Sequence, residues 1–208
     1  MQSIINIVEN ADTTGFTLLI PSVAVGNVGQ LTIDLIISSY RFKKYATIWH
    51  PAIIPSVNGD PFDNDPTNIS TACELFINTK LKMIAMQLRS GIEDKLAIPF
   101  FNVLNDTISE LGCKQILILT SAFAHELHNV NASHFRIVSN DQELSNKLDE
   151  SILPIDESNI FGGGDNRPDA VQVLQVILKL FVAETDCKIV YPNSWKYTFG
   201  NPPPLSIY

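Results

Sequence analysis

Three histidines are the residues with the clearest capacity for metal binding or proton transfer. His125 and His128 lie three positions apart with Glu126 beside them, and His134 follows shortly after. A zincin places its two histidines four positions apart around the glutamate, so this spacing does not supply that zinc site. We therefore interpret these side chains as solvated loop residues and predict that the chain holds no metal ion.

Candidate nucleophiles also lack the surroundings that would activate them. Ser121 follows the clearest predicted strand, as a hydrolase serine does, but the flanking glycines of that motif are missing. Asp63 and Asp65 could form a carboxylate pair, although in a loop rich in Asn, Asp and Pro they are more simply turn formers. Arg89 could bind an anion or join an ion pair. Because no set of acid, base and nucleophile emerges, we predict a protein without catalytic residues or a cofactor.

A glycine turn, Gly26-Asn27-Val28-Gly29, could cradle a phosphate at the start of a helix. The turn is neither a P-loop nor a complete dinucleotide-binding fingerprint, and no Lys-Ser/Thr pair follows it. The simpler interpretation is a tight connection between a strand and a helix, where glycine lets two backbones approach. The loop Gly162–Gly164 is interpreted first as a flexible loop and second as a ligand-binding loop.

The elements that would position these residues alternate as in an α/β protein. A strand is predicted at Phe16–Ile20, and a helix from about Val28 to Tyr40 follows the glycine turn. Four consecutive apolar residues within Gln115–Thr120 favour a parallel strand that is covered on both faces. The other predicted elements are strands at Tyr45–Trp49, Ala52–Ile54, Phe135–Val138 and Lys188–Tyr191, a hairpin joining Cys73–Ile77 to Leu81–Leu88, and helices at about Asp94–Leu111 and Asp169–Ala183.

These elements predict one α/β domain over residues 1–200, with a mainly parallel central sheet flanked by helices. Three prolines follow within residues 201–208, and they predict an extended C-terminal tail. The helices at 28–40 and 169–183 are apolar around most of their circumference. They are either buried in one core, or one of them presents a face to a partner protein while the tail docks in a pocket.

Composition and charge exclude several classes of protein. The chain has 208 residues, 45% hydrophobic and 17% charged, which suits one globular domain. A net charge of −8 lacks the basic surface that nucleic acids require, and no polybasic run is present for anionic lipid. The sequence shows no secretory signal and no spanning helix, and its three cysteines form no CxxC pair. We expect a cytoplasmic protein with reduced thiols, and the nucleus as a second location.

Several segments of the chain resemble the family of proteasome assembly chaperone 2. The first, Gly15–Leu31 with its continuation Asp34–Ser38, is long and specific, and it contains the motif turn Gly26, Asn27, Val28, Gly29 and Gln30. Shorter similar segments follow in the same order, at Gln87–Ser90, at Gly162–Gly164 and at Ser194–Trp195 with Phe199-Gly200. The resemblance therefore spans most of the chain.

This resemblance implies an α/β body related to nucleoside phosphorylases but without enzymatic activity. It also implies a heterodimer with proteasome assembly chaperone 1 that binds 20S proteasome α-subunits, promotes α-ring formation and suppresses off-pathway association. Tails in this family dock between α-subunits through a hydrophobic-Tyr-X ending, so Leu205, Ile207 and Tyr208 are the candidate binding residues. Tyr208 is last rather than penultimate, which departs from that pattern, and the region between Gly164 and Trp195 is shorter than the family leads us to expect.

Two other functional classes stay open. One is a nucleoside-processing or hydrolytic α/β enzyme with its site at Gly26–Gly29 and Arg89, which would require a deep polar pocket with converging acid and base groups. The other is an α/β domain that binds a ligand without catalysis, for which nucleosides or phosphate would raise the melting temperature.

Overall fold

The computed structural model describes residues 3–63, 65, 67–122, 138–141, 165–182 and 188–197. Its strands are β1 (Ile5–Ile7), β2 (Thr17–Pro21), β3 (Lys43–Ile48), β4 (Val57–Gly59), β5 (Ile69–Thr71), β6 (Cys73–Asn78), β7 (Met83–Leu88) and β8 (Gln115–Leu119). Its α-helices are α1 (Val28–Tyr40), α2 (Ala97–Glu110) and α3 (Arg167–Phe181), with short 3-10 turns at Val25–Asn27, Asp94–Leu96 and Asn193–Tyr197. None of these helices is long and apolar enough to cross a membrane.

Six strands form one sheet in the order β1-β3-β6-β7-β2-β8, and β4 pairs with β5 in a separate hairpin. Strand β2 is parallel to β7 and β8, whereas β1–β3, β3–β6 and β6–β7 are antiparallel pairs. The α/β class is confirmed, but the prediction of a mainly parallel sheet is wrong because the sheet is mixed. A short turn after Asn78 joins neighbouring strands directly, and such a hairpin makes them antiparallel. The relation to nucleoside phosphorylases stays a prediction.

The alternation of side chains along the strands divides the core into two layers, one on each face of the sheet. On one face, Phe100 of α2 belongs to a buried cluster with Leu18 of β2. On the other face, Ile33 of α1 and Leu174 of α3 are buried with Leu19. Helices α1 and α3 pack on the sheet and on each other. This burial accounts for the apolar residues around most of their circumference.

Strand β8 is parallel to β2, as the sequence predicts, but it is not covered on both faces. Ile116 is 46% exposed and Ile118 is 69% exposed, and neither joins a buried apolar cluster. The two isoleucines alternate with the half-buried Leu117 and Leu119, which pack on the α1 side. Among the described strands β8 is the last in the sheet, and a run of four apolar residues does not distinguish such a strand from a central one.

Several short elements differ from the predicted ones. The Ala52–Ile54 segment forms a single bridge, between Ile53 and Ile92, rather than a strand. Residues 188–191 contain no strand, and β1, β4 and β5 were not predicted. Most of the predicted strand at Phe135–Val138 and the whole tail at 201–208 lie outside the described residues.

The buried strand β6 gives a chemical test of the fold. Burial, with a smaller effect of Glu74, raises the pKa of the Cys73 thiol to about 12. We expect Cys73 to resist iodoacetamide in the folded chain at about pH 8 and to react once the chain is unfolded. Peptide mass spectrometry would follow the labelling, with the partly exposed Cys113 as the internal reference. Labelling of native Cys73 as fast as Cys113 would contradict this burial.

Candidate functional site

The motif turn connects β2 to α1 through two residues in the left-handed region. Gly26 has a φ of +68°, and Asn27, the N-cap of α1, has a φ of +54°. Glycine adopts this conformation without a steric cost, and asparagine tolerates it better than most residues do. The local sequence therefore suits the sharp entry into the helix.

Both glycines of the turn are sites of close packing. A Cβ atom on Gly29 would lie 2.6 Å from the carbonyl oxygen of Leu119, so α1 approaches the end of β8 at this point. A Cβ atom on Gly26 would lie 2.8 Å from Nδ2 of Asn166. In the described residues, protein atoms thus occupy the space beside both glycines.

Gln30 links the first turn of α1 to the end of β7. Its Nε2 atom donates a hydrogen bond to the carbonyl oxygen of Leu88 at 2.6 Å. Strands β2 and β7 are parallel neighbours, and the helices that follow them lie on opposite faces of the sheet. Open α/β sheets bind ligands at such a point, outside the carboxyl ends of the strands. Here the Gln30 side chain lies at this point and forms a hydrogen bond within the protein, to the carbonyl oxygen of Leu88.

Asp34, one helical turn after Gln30, is the centre of a buried polar cluster. Its side chain is 2% exposed, and Nη1 of Arg89 donates to its Oδ2 at 2.8 Å. Nε2 of Gln87 donates to Oδ1 at 3.4 Å, and the side chain of Trp195 is a further hydrogen-bond partner. The Arg89 guanidinium also lies 5.6 Å from the centre of the Phe62 ring. The Asp34 cluster (Asp34, Gln87, Arg89 and Trp195) therefore joins α1, β7 and the segment at 193–197.

Burial dominates the electrostatics of this cluster. Desolvation raises the pKa of the Asp34 carboxyl, while Arg89 and then the hydrogen bonds from Trp195 and Gln87 lower it by smaller amounts. Three polar atoms nearby, Oε1 of Gln30, Oε1 of Gln87 and Nη2 of Arg89, have no hydrogen-bond partner among the described residues. The carboxylate and the guanidinium neutralise each other, so the arrangement suits a link between elements better than proton transfer.

Three segments that resemble the family meet at the Asp34 cluster. Asp34 belongs to the first segment, Gln87 and Arg89 to the second, and Trp195 to the last. The sequence indicated each segment but not their contact. One signal was available, because a lone aspartate in the apolar stretch Leu31–Ile37 must have a partner if the helix is buried.

The other candidate residues within the described part serve the local structure. Ser121 Oγ donates to the carbonyl oxygen of Val25, which ties the segment after β8 to the residue before the motif turn. Asp63 and Asp65 accept hydrogen bonds from backbone N–H groups two residues later, as turn-forming residues do. No group of three His, Cys, Asp or Glu side chains in the described ranges could hold a metal ion.

Three sets of candidate residues lie outside the described residues. They are the histidines His125, His128 and His134, the loop Gly162–Gly164, and the tail residues Leu205, Ile207 and Tyr208. Their roles stay predictions.

Comparisons with known proteins place the chain among assembly chaperones by sequence. The sequence model of the PAC2 family matches residues 18–184. The chain is 26% identical to human Proteasome assembly chaperone 2, in an alignment that covers 95% of the chain and 96% of the human protein. It is also 26% identical to Proteasome assembly chaperone 2 of Xenopus tropicalis, over 93% of the chain and 95% of that relative. The human alignment runs to 254 positions against 208 residues here, so the human relative contains segments that this chain lacks.

A solved structure shows the same fold. Pyrococcus furiosus PbaB, an archaeal proteasome activator, superposes with a TM-score of 0.58 at 14% identity, covering 88% of the chain and 90% of PbaB. At this identity the likeness concerns the fold alone. The family match, in contrast, extends over most of the sequence, from β2 to the residues just beyond α3. The chain therefore belongs to the PAC2 family.

Proposed function

We propose that the chain is an assembly chaperone of the 20S proteasome that acts by binding alone. In this proposal it forms a heterodimer with proteasome assembly chaperone 1, and the heterodimer binds α-subunits, promotes α-ring formation and blocks off-pathway association. The observation that carries the proposal is the PAC2 family match over residues 18–184, together with relatives named as proteasome assembly chaperones. The cytoplasm is the expected compartment, with the nucleus as a second one.

The described residues support a role in binding rather than in catalysis. The motif turn packs on Leu119 and Asn166, and the Asp34 carboxylate is bound by Arg89. The motif turn and the Asp34 carboxylate are thus engaged in contacts within the protein. The mechanism that we propose is steric, since a heterodimer covering α-subunit surfaces would prevent their wrong association until the ring is complete.

We assign docking on the α-ring to the tail residues Leu205, Ile207 and Tyr208. Apolar side chains beside a terminal carboxylate suit a pocket that binds a chain end. The segment before the tail is fixed to the body at several points. The backbone N–H of Val190 donates to Ser39 Oγ at 2.9 Å, that of Asn193 donates to the Pro61 carbonyl at 3.1 Å, and Trp195 bonds to Asp34. These contacts hold the described segment that precedes the tail against the body.

Deleting the tail residues 205–208 tests this proposal. We expect the full chain, co-expressed with proteasome assembly chaperone 1 and α-subunits, to co-purify with both. The truncated chain should retain the partner chaperone and lose most of the α-subunits, because the apolar side chains are gone and the new terminal carboxylate lies on Pro204. Ser206→Ala, which preserves the apolar residues and the carboxylate, is the matched control and should bind as the full chain does. A full chain that recovers neither protein would contradict the proposal.

One observation favours a second candidate, a ligand-binding domain without catalysis. Oε1 of Gln30, Oε1 of Gln87 and Nη2 of Arg89 are buried without a hydrogen-bond partner among the described residues, and they offer one donor and two acceptors to a polar ligand. This candidate predicts that nucleosides or phosphate raise the melting temperature, and that Gln87→Leu removes the effect. An unchanged melting temperature with every such ligand would leave the chaperone proposal as the better account.

A further inference from the structure

The sequence contains one Asn-Gly pair, and it lies in an exposed part of the fold. Asn58 and Gly59 are the last residues of β4, and both are exposed. Strand β4 pairs with β5 in a two-stranded hairpin outside the main sheet. Val57 of β4 and Ile69 of β5 are each more than half exposed, and neither joins a buried apolar cluster. The apolar core therefore gives this hairpin little support.

The register of the hairpin turns the backbone N–H of Gly59 away from β5. Gly59 lies opposite Ile69, and the next pair is a bonded one, since the Asp60 N–H donates to the Asn68 carbonyl at 3.0 Å. Bonded and non-bonded pairs alternate along an antiparallel ladder, so the Gly59–Ile69 pair is non-bonded. The ladder therefore does not occupy the Gly59 nitrogen.

An asparagine that precedes glycine can react with the backbone, because glycine has no side chain to shield its nitrogen. The Gly59 nitrogen attacks Cγ of Asn58, the Cγ–Nδ2 bond breaks, and the proton of the Gly59 N–H leaves with the amide nitrogen as ammonia. Water then opens the succinimide ring. Cleavage of the new Cγ–N bond gives aspartate, and cleavage between the Asn58 carbonyl carbon and the Gly59 nitrogen gives isoaspartate. Water is the co-reactant, and no electrons are transferred.

The hairpin must open before this reaction can occur. Asn58 lies opposite Ser70 in a bonded pair, and the extended backbone of such a pair lacks the rotation that ring closure requires. A two-stranded hairpin is marginally stable without other contacts, so local opening costs less than global unfolding. The rate of the reaction should therefore depend on what holds the hairpin to the body.

Glu74 of β6 is the group that holds the hairpin. Its fully buried carboxylate accepts hydrogen bonds from Ser70 Oγ at 3.0 Å and from the Thr71 N–H at 2.8 Å. Lys44 Nζ compensates the charge at 3.0 Å from Glu74 Oε1 and also donates to the Ile69 carbonyl at 2.8 Å. These bonds join β5 to β3 and β6, and they oppose the opening of the hairpin.

We propose that Asn58-Gly59 is a site of spontaneous modification, at which Asn58 converts to aspartate and isoaspartate through a succinimide when the hairpin opens. Isoaspartate adds a methylene group to the backbone and would disturb the register of β4 with β5. The disturbance would reach Pro61, whose carbonyl accepts a hydrogen bond from the Asn193 N–H at 3.1 Å. The proposal concerns the chain itself and does not depend on its proposed function.

Incubation of the purified full chain in mildly alkaline buffer tests the proposal. Peptide mass spectrometry follows the asparagines, and an isoaspartyl methyltransferase serves as the probe for isoaspartate. Asn58 should convert at least about tenfold faster than Asn78, whose amide group is held by hydrogen bonds with Tyr40 and Leu81. Gly59→Ala should slow the conversion by about tenfold, because the added Cβ shields the nitrogen. That Cβ would meet no atom within 4 Å, so this variant should fold as the unmodified chain does.

A second pair of variants tests the dependence on hairpin opening. Ser70→Ala removes one hydrogen bond to Glu74 and should speed the conversion of Asn58 by about fivefold. Ser109→Ala, which removes a serine hydrogen bond on the distant helix α2, is the matched control and should leave the rate unchanged. Urea unfolding of each variant verifies that the global stability is nearly unchanged.

Three outcomes would overturn the proposal. Conversion of Asn58 as slow as that of Asn78 would show that this pair is not a modification site. Aspartate without isoaspartate, or an equal rate in Gly59→Ala, would exclude the succinimide route. An equal rate in Ser70→Ala and Ser109→Ala would show that the opening of the hairpin does not control the reaction.

Discussion

Replacing Arg89 with methionine should destabilise the folded chain by about 3 kcal/mol. This value is at the lower end of the range for breaking a buried ion pair, because Arg89 is partly exposed. The Asp34 carboxylate is 2% exposed, and Arg89 Nη1 at 2.8 Å is the charge that compensates it. Methionine preserves the apolar part of the side chain and removes the cation. The free energy of unfolding in urea, followed by circular dichroism, would measure the loss.

The pH dependence and a double variant distinguish this cause from a packing defect. Loss of Arg89 should raise the pKa of Asp34 further, and a carboxyl whose pKa is raised in the folded state destabilises that state as the pH rises. The defect of Arg89→Met should therefore be smaller at about pH 5 than at about pH 8. It should also shrink in a chain that already carries Asp34→Asn, since no buried charge is then left without a partner. An equal loss in both backgrounds and at both pH values would contradict the role of the ion pair.

Replacing Gly29 with alanine should destabilise the chain by about 1–3 kcal/mol, although alanine is the better helix former. The added Cβ would lie 2.6 Å from the Leu119 carbonyl oxygen, a backbone atom that cannot move aside as a flexible side chain could. Helix α1 would have to shift away from β8, which disturbs the apolar layer that the two share. Thermal or urea unfolding would detect the change.

Gly91→Ala is the matched control for this variant. A Cβ atom on Gly91 would meet only the Ile54 side chain at an ordinary 3.6 Å, so its stability should change by less than about 0.5 kcal/mol. If Gly29→Ala were as stable as the unmodified chain, α1 and β8 would not be in close contact at this point.

Local signals made the elements around the motif turn predictable. Helix α1 runs from Val28 to Tyr40 as predicted, because the glycine turn marks its start. In the structure the helix ends at Arg41, which adopts the left-handed region. The β6–β7 hairpin was predicted from its turn at Asn78, whose side chain accepts a hydrogen bond from the backbone of Leu81. The mixed sheet was not predicted, since strand direction depends on the path between strands and not on their composition.

The Asp34 cluster could not be predicted from the sequence because its members are far apart along the chain. Nothing in the spacing of Asp34, Arg89 and Trp195 indicates that they meet, because their contact follows from the packing of α1 on β7 and of the later segment on α1.

The central claim is that this chain, with its partner chaperone, directs α-subunits into rings. Native mass spectrometry of purified α-subunits, mixed with and without the heterodimer, tests that claim most directly. Our account predicts more complete α-rings and fewer off-pathway assemblies when the heterodimer is present. The same distribution of species with the heterodimer as with an unrelated acidic protein of similar size would contradict it.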